Sequence, residues 1–234
     1  MYPLNRLRIT SHDRLVSLIE TNPFILLLIE YFRLPMLIGN HTVSSFCQEN
    51  EINPELFMAI ASLYFGIPSH AGNSFTRADL PWIVRFLKNS HHYYLNEKYV
   101  EVIKNIHQMH ETNPAPEMGL VERFFEEYMA EVREHLGYEE DVAFPYFLSL
   151  AEGQSPTSFS FSAKDYLDHH SDIETKLTDL KQLLLAHLPV AGDYRARRKT
   201  IQALIELEFD LNVHTSVEEQ ILVPLVMQIE KQQL

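Results

Sequence analysis

Two segments of the sequence repeat one arrangement of residues that can bind metals. HLGYEEDVAFP spans residues 135–145 and HTSVEEQILVP spans residues 214–224, and each reads His, three residues, Glu-Glu, four residues, Pro. Positions i and i+4 of a helix share a face, so each segment would present an imidazole and a carboxylate together. The pairs are His135 with Glu139 and His214 with Glu218. The second glutamates, Glu140 and Glu219, fall about 140° round the helix and are expected to face elsewhere.

Two histidine doublets stand upstream of these pairs at matching distances. The first contains His91 and His92, and the second contains His169 and His170. From the second histidine of a doublet to the histidine of the following pair, the distance is 43 residues in the first half and 44 in the second. The chain therefore reads as two similar helical hairpins. His91 and His169 are either surface residues or partners that orient a ligand.

Four histidines and two glutamates brought together suit a pair of first-row transition metals. Imidazole binds iron, manganese or zinc, and a carboxylate is able to bridge two ions. Two ionised glutamates would be costly to bury without such a cation. An isolated His-x-x-x-Glu pair is often only a solvated pair on a helix, but the matched duplication favours a metal site. The histidines without a matching partner are taken as ordinary residues: His12, His41, His70, His107, His110 and His187.

Four long helical segments are predicted to position these residues. The second is expected to bend near Gly137 or Pro145. Long helices joined by short loops are typical of an up-down-up-down four-helix bundle, so the predicted fold class is all-α. The segments lie at about residues 78–110, 118–150, 162–188 and 193–231.

A small helical N-terminal domain is predicted to precede the bundle. It covers residues 1–66 and has helix starts at Thr42 and Asn53, which are favourable N-cap residues. A segment rich in Gly, Pro, Ser and Asn at 67–77 is predicted to be a linker, and the bundle domain then covers 78–234.

Composition and charge restrict the classes of partner. The net charge is −13, with 19 Lys and Arg against 32 Asp and Glu, so binding to nucleic-acid phosphates is not expected. Cys47 is the only cysteine, which excludes an intrachain disulfide and favours a reducing compartment. The apolar run at 24–32 is shorter than the roughly 20 residues of a transmembrane helix. The first residues also lack the order of a signal peptide. We therefore expect a cytoplasmic protein that does not associate with membranes.

With these motifs in place, the chain resembles the hemerythrin-like, or HHE cation-binding, family along essentially its whole length. It most resembles the di-iron proteins of iron-sulfur cluster repair. The matching segments are HHYYLNEKY (91–99), HLGYEEDVAFP, DHHSDIE (168–174) and HTSVEEQILVP. Oxygen-carrying hemerythrins have an additional histidine and a final H-x-x-x-x-D, and neither is clear here. This difference favours the repair-type site.

The resemblance implies a specific ligand set for two iron ions, with manganese or zinc as other candidates. Two glutamates would bridge the irons, Glu139 and Glu218. The histidines would be terminal ligands: His92, His135, His170 and His214. The arginine that commonly follows the first doublet in the family is replaced by Asn96.

The N-terminal domain departs from the repair proteins it resembles. Those proteins often carry Cys-Cys-Gly-Gly-Asn followed by a further cysteine, and MLIGNHTVSSFC (36–47) aligns with that pattern without gaps. Met36 and Leu37 stand where the cysteine pair would be, whereas Gly39, Asn40 and Cys47 are kept. The thiol chemistry of that domain is therefore expected to be lost, and Cys47 is expected to be a small buried apolar residue.

The resemblance implies a cytoplasmic non-haem di-iron protein of the nitrosative and oxidative stress response, of the cluster-repair type. Its partners would be NO or O2 and iron-sulfur client proteins. One alternative is a di-iron gas sensor or binding module that signals to a partner through residues 1–65. Another is a structural bundle that holds redox-inert zinc. The sequence leaves open whether the protein is an enzyme and whether it forms a homodimer.

Overall fold

The computed structural model describes residues 8–69, 75–112, 116–169, 175–187 and 194–233. These residues form helices and loops without a β-strand, so the all-α prediction is confirmed. None of the helices within these ranges combines the length and apolarity needed to cross a membrane. The chain forms two compact units. The terminal unit contains Met1–Ser90, Val142–Asp168 and Val213–Leu234, and the central unit contains His91–Asp141 and His169–Asn212.

Four short helices begin the terminal unit: α1 (Leu15–Thr21), α2 (Ile25–Tyr31), α3 (Val43–Glu49) and α4 (Pro54–Tyr64). Both predicted N-caps are confirmed, because Thr42 Oγ1 accepts from the Ser45 N–H at 3.2 Å and Asn53 Oδ1 accepts from the Glu55 N–H at 3.0 Å. The predicted linker and domain boundary stay a prediction, since part of 67–77 lies outside the described residues.

The cysteine of α3 is buried, as predicted. Cys47 has no exposed surface, and burial raises the pKa of its thiol to about 12. Met36 and Leu37 are 49% and 87% exposed. The N-terminal region therefore has a buried thiol inside and an exposed apolar pair at the surface.

Further helices follow within the four helical segments that the sequence predicts. They are α5 (Leu80–Tyr93), α6 (Tyr99–Thr112), α7 (Pro116–Tyr138), α8 (Phe144–Ala151), α9 (Ala163–His169), α10 (Thr175–Gln182), α11 (Tyr194–Val217) and α12 (Val223–Gln233). An apolar core within the central unit joins α6, α7, α10 and α11, with Ile106, Phe125, Leu180 and Leu207 among its buried members. Burial of such side chains is the main favourable term for this packing.

A buried lysine adds a polar connection inside the central unit. Lys98 Nζ donates to Glu101 Oε2 at 2.8 Å and to Glu206 Oε2 at 2.6 Å. Burial lowers the pKa of Lys98, but the hydrogen bonds to the two carboxylates raise it by more, so the net shift is upward. The ammonium therefore stays charged and holds the segment before α6 against α11.

Short π-helical segments interrupt the long helices, and two of them begin at the candidate glutamates. They span Glu139–Ala143, between α7 and α8, and Glu218–Leu222, between α11 and α12. Pro145 and Pro224 stand at the same position after each segment. Proline removes a backbone donor and clashes with the carbonyl four residues earlier, and a π turn changes that register. The duplicated proline thus follows a change of hydrogen-bond register, and the first π segment lies between Gly137 and Pro145, where the bend was predicted.

Candidate metal centre

Four of the six predicted ligands are buried or nearly buried in the structure. They form two pairs, each of one histidine and one glutamate. His135 lies one turn from Glu139 in the central unit, and His214 lies one turn from Glu218 in the terminal unit. Both glutamates are buried, with exposures of 0% and 1%. His170 lies outside the described residues.

The structure places His91, not the predicted ligand His92, beside the buried Glu139. His92 is exposed, whereas His91 is buried and its Nε2 lies 3.1 Å from Glu139 Oε2. Neighbouring residues on a helix differ by about 100° in direction, so the two members of the doublet face different surroundings. His91 continues the buried stripe of Ile83 and Leu87 at four-residue spacing. The helix face therefore selects His91.

The His91 group consists of His91, His135, Glu139 and Glu140, all in the central unit. Each oxygen of Glu139 faces an imidazole, since Oε1 lies 3.3 Å from His135 Nε2 and Oε2 lies 3.1 Å from His91 Nε2. His91 Nδ1 lies 2.9 Å from Glu140 Oε1. An ionised carboxylate only accepts, so Nδ1–H donates to Glu140 and Nε2 is the ring nitrogen that faces Glu139.

The expectation for Glu140 was therefore wrong. It assumed a regular α-helix, in which a residue next to Glu139 points well away from the site. The π segment that begins at Glu139 breaks that regularity, and Glu140 holds His91 while its side chain stays 40% exposed.

The His214 group consists of Ser90, Tyr166, His214 and Glu218, all in the terminal unit. Ser90 Oγ donates to the Leu87 carbonyl at 2.7 Å and lies 2.8 Å from His214 Nδ1. Because the serine proton is already used, Ser90 Oγ accepts from His214 Nδ1–H. His214 Nε2 then faces Glu218 Oε1, 3.2 Å away. The Tyr166 hydroxyl donates to the same oxygen at 2.6 Å.

Both groups have donor sets that fit a transition-metal ion. A nitrogen lone pair and a carboxylate oxygen that face each other across 3.1–3.3 Å repel unless a cation, a proton or a metal ion, lies between them. The hydrogen bonds at Nδ1 are those that commonly orient a metal-binding imidazole.

Three contributing residues were not identified from sequence: Ser90, Glu140 and Tyr166. Ser90 stands immediately before the first doublet on the buried face of α5, so the apolar stripe was an available signal. Glu140 is part of the duplicated Glu-Glu. Tyr166 gave only a weak signal, four residues before His170 on a different helix from Glu218.

Comparison with known proteins identifies a cation-binding domain over the region that contains this donor set. Residues 84–226, well over half of the chain, match the model of the hemerythrin HHE cation binding domain. The iron-sulfur cluster repair protein ScdA of Staphylococcus haemolyticus is 20% identical over 147 residues, which are 62% of this chain and 66% of that relative, just under two thirds of its length. The matched family domain contains all members of the His91 and His214 groups. The chain therefore belongs to the hemerythrin HHE cation-binding family.

Proposed function

We propose that the chain binds two iron ions in one non-haem di-iron centre and acts in the repair of iron-sulfur clusters in the cytoplasm during nitrosative or oxidative stress. One observation carries the metal proposal. Twice, an imidazole whose Nδ1–H is already bonded turns its Nε2 toward a buried carboxylate oxygen. The name of the relative from Staphylococcus haemolyticus supports the repair role.

We assign the two groups to one centre because a single family domain covers both of them. The proposed ligands are His91, His135, Glu139, His170, His214 and Glu218, with His91 in the place first given to His92 and the glutamates as bridges.

The protein's own residues would set the state of this centre. Ser90 and Glu140 fix the proton on Nδ1 of an imidazole, so that Nε2 is the coordinating atom. Tyr166 restrains one glutamate by a hydrogen bond. Burial keeps bulk water from the carboxylates. When bound, the irons would supply reversible electron transfer, open positions for NO or O2, and iron that can be released to a damaged cluster.

A second candidate function rests on the surface of the N-terminal region. Met36 and Leu37 are exposed apolar residues in the segment aligned with the cysteine motif of repair proteins. Such a pair suits contact with another protein, so a di-iron sensor of O2 or NO that signals to a partner is the alternative. A sensor should bind gas reversibly and change its association state, whereas a repair protein should restore activity to a cluster-depleted enzyme.

The first experiment is metal analysis with an optical spectrum of protein purified without added metal. We expect about two irons per chain, with near-ultraviolet charge-transfer bands. Both should be lost in Glu139→Ala, Glu218→Ala and His91→Ala. The matched controls are Glu219→Ala and His92→Ala, because these residues adjoin proposed ligands but are exposed. Zinc alone, no metal, or equal effects of ligand and control variants would overturn the di-iron proposal.

A further inference from the structure

A second cluster of metal-ligating side chains lies on the surface of the central unit. His107 and His110 are three residues apart on α6, and Glu122 is on α7. His107 Nε2 lies 2.9 Å from Glu122 Oε1, and His110 Nδ1 lies 3.4 Å from Glu122 Oε2. One carboxylate therefore has an imidazole nitrogen at each of its two oxygens.

This cluster is separate from the proposed iron centre. The helical stretch from His91 to His107 covers 16 residues, or about 24 Å at 1.5 Å per residue. The cluster lines an open depression of about 460 Å³, together with Glu111. The side chains of His107 and His110 are 51% and 41% exposed, against 1% for His91. The site is thus open to solvent.

We propose that His107, His110 and Glu122 form a surface site for an exchangeable divalent transition-metal ion such as Zn²⁺. Two imidazole nitrogens and a carboxylate are ligands that zinc and its neighbours prefer, and three protein ligands leave a position for water. Histidines three residues apart on a helix are neighbours on its surface.

Two further properties favour binding of a cation here. The imidazoles are 51% and 41% exposed and line an open depression, so they have room to turn their nitrogens toward a common ion. The net charge of −13 raises the local concentration of cations around the protein. Glu111, on the rim of the depression, adds a further negative charge.

The test is equilibrium dialysis of the full chain against Zn²⁺. We expect the wild-type protein to bind one zinc ion at this site. The affinity for this ion should be at least roughly tenfold lower in each of the variants His107→Ala, His110→Ala and Glu122→Ala. The matched control is His41→Ala, because His41 is an exposed histidine that faces a single carboxylate, Glu49, at 3.3 Å. Unchanged zinc binding in the three variants, or an equal loss in the control, would overturn the proposal.

A second protein variant distinguishes zinc bound at the surface site from metal bound at the proposed iron centre. The measurement is repeated in Glu139→Ala/Glu218→Ala, in which the surface zinc should persist. Imidazole NMR signals of His107 and His110 should shift on addition of Zn²⁺ in both backgrounds, so a variant that fails to fold cannot mimic the result. Absence of these shifts overturns the surface site alone, and loss of iron in the double variant bears on the iron centre alone.

Discussion

The His91 and His214 groups orient their imidazoles through hydrogen bonds to different partners. In each, a hydrogen bond at Nδ1 leaves Nε2 to face a glutamate. His91 uses an ionised carboxylate, Glu140, that is 40% exposed, whereas His214 uses the hydroxyl of Ser90, which is fully buried. The glutamates differ too. Glu139 presents one oxygen to each of two imidazoles, whereas Glu218 shares Oε1 between His214 and Tyr166.

The two groups therefore allow the effect of a supporting residue's charge to be compared with the effect of its burial. A charged hydrogen-bond partner makes an imidazole a stronger ligand. When that partner is exposed, solvent and salt weaken its electrostatic effect on the imidazole. A buried neutral partner adds no charge, yet water cannot replace it once it is removed. The duplicated sequence pattern thus contains two unequal halves, and their variants should differ in magnitude and in salt dependence.

The largest effect is expected from the two glutamates. Glu139→Gln should weaken metal binding more than Glu218→Gln, because both oxygens of Glu139 face imidazole nitrogens. We expect losses of more than roughly 100-fold, above the range for residues that only support a ligand. Chelator competition measures the affinities, with Glu219→Gln as the exposed control. Equal losses of metal affinity in Glu139→Gln and Glu218→Gln would contradict the expected difference between the two groups.

Removal of the buried serine should have the next largest effect. Ser90→Ala leaves the His214 Nδ1–H without its acceptor, which we expect to cost about 1–3 kcal/mol of unfolding free energy. Metal affinity should fall roughly 10–100-fold. The measurements are thermal unfolding of metal-free protein and chelator competition.

A second serine provides the control for this substitution. Ser149 is also buried and donates to the carbonyl three residues earlier, at 2.6 Å. Ser149→Ala should therefore lose the same type of helix hydrogen bond without a change in metal affinity. If Ser149→Ala and Ser90→Ala act alike on metal binding, Ser90 has only a structural role.

Loss of the tyrosine hydroxyl should weaken metal binding by about tenfold, the lower end of the range for supporting residues. Tyr166→Phe removes the 2.6 Å donor to Glu218 and leaves the ring in place. Tyr146→Phe is the matched control, since the Tyr146 hydroxyl donates at 2.6 Å to Glu230. Burial and the Glu230 hydrogen bond raise the pKa of Tyr146, so its hydroxyl is also a neutral donor. Affinity titrations that show no difference between Tyr166→Phe and Tyr146→Phe would contradict the role of Tyr166.

Periodicity and duplication were enough to predict the all-α fold and the His-x-x-x-Glu pairs. Spacing on a regular helix determines which residues share a face, and α7 and α11 are regular as far as Tyr138 and Val217. The same rule applied to α5 selects His91, because the stripe from Ile83 through Leu87 leads to it. His92 was chosen by family resemblance, whereas the buried face of α5 points to His91.

The supporting contacts could not be obtained from spacing. Glu140 acts where a π segment replaces the α-helical register, and a change of hydrogen-bond register has no simple signature beyond the following proline. Tyr166 and Glu218 are 52 residues apart and meet only through packing. Local patterns therefore identify candidate metal-ligating pairs, whereas contacts such as those of Glu140 and Tyr166 depend on the structure around them.

The smallest effect is expected from the exposed carboxylate. Glu140→Gln keeps an oxygen that can accept from His91 Nδ1 and removes only the charge, which solvent already screens at 40% exposure. We expect metal affinity to fall by less than about tenfold at low salt and to approach wild type in high salt. Ser90→Ala should keep its deficit at both salt concentrations, because its defect is an unsatisfied buried donor. A salt-independent loss in Glu140→Gln would show that its geometry rather than its charge supports His91, and the two groups would then work in the same way.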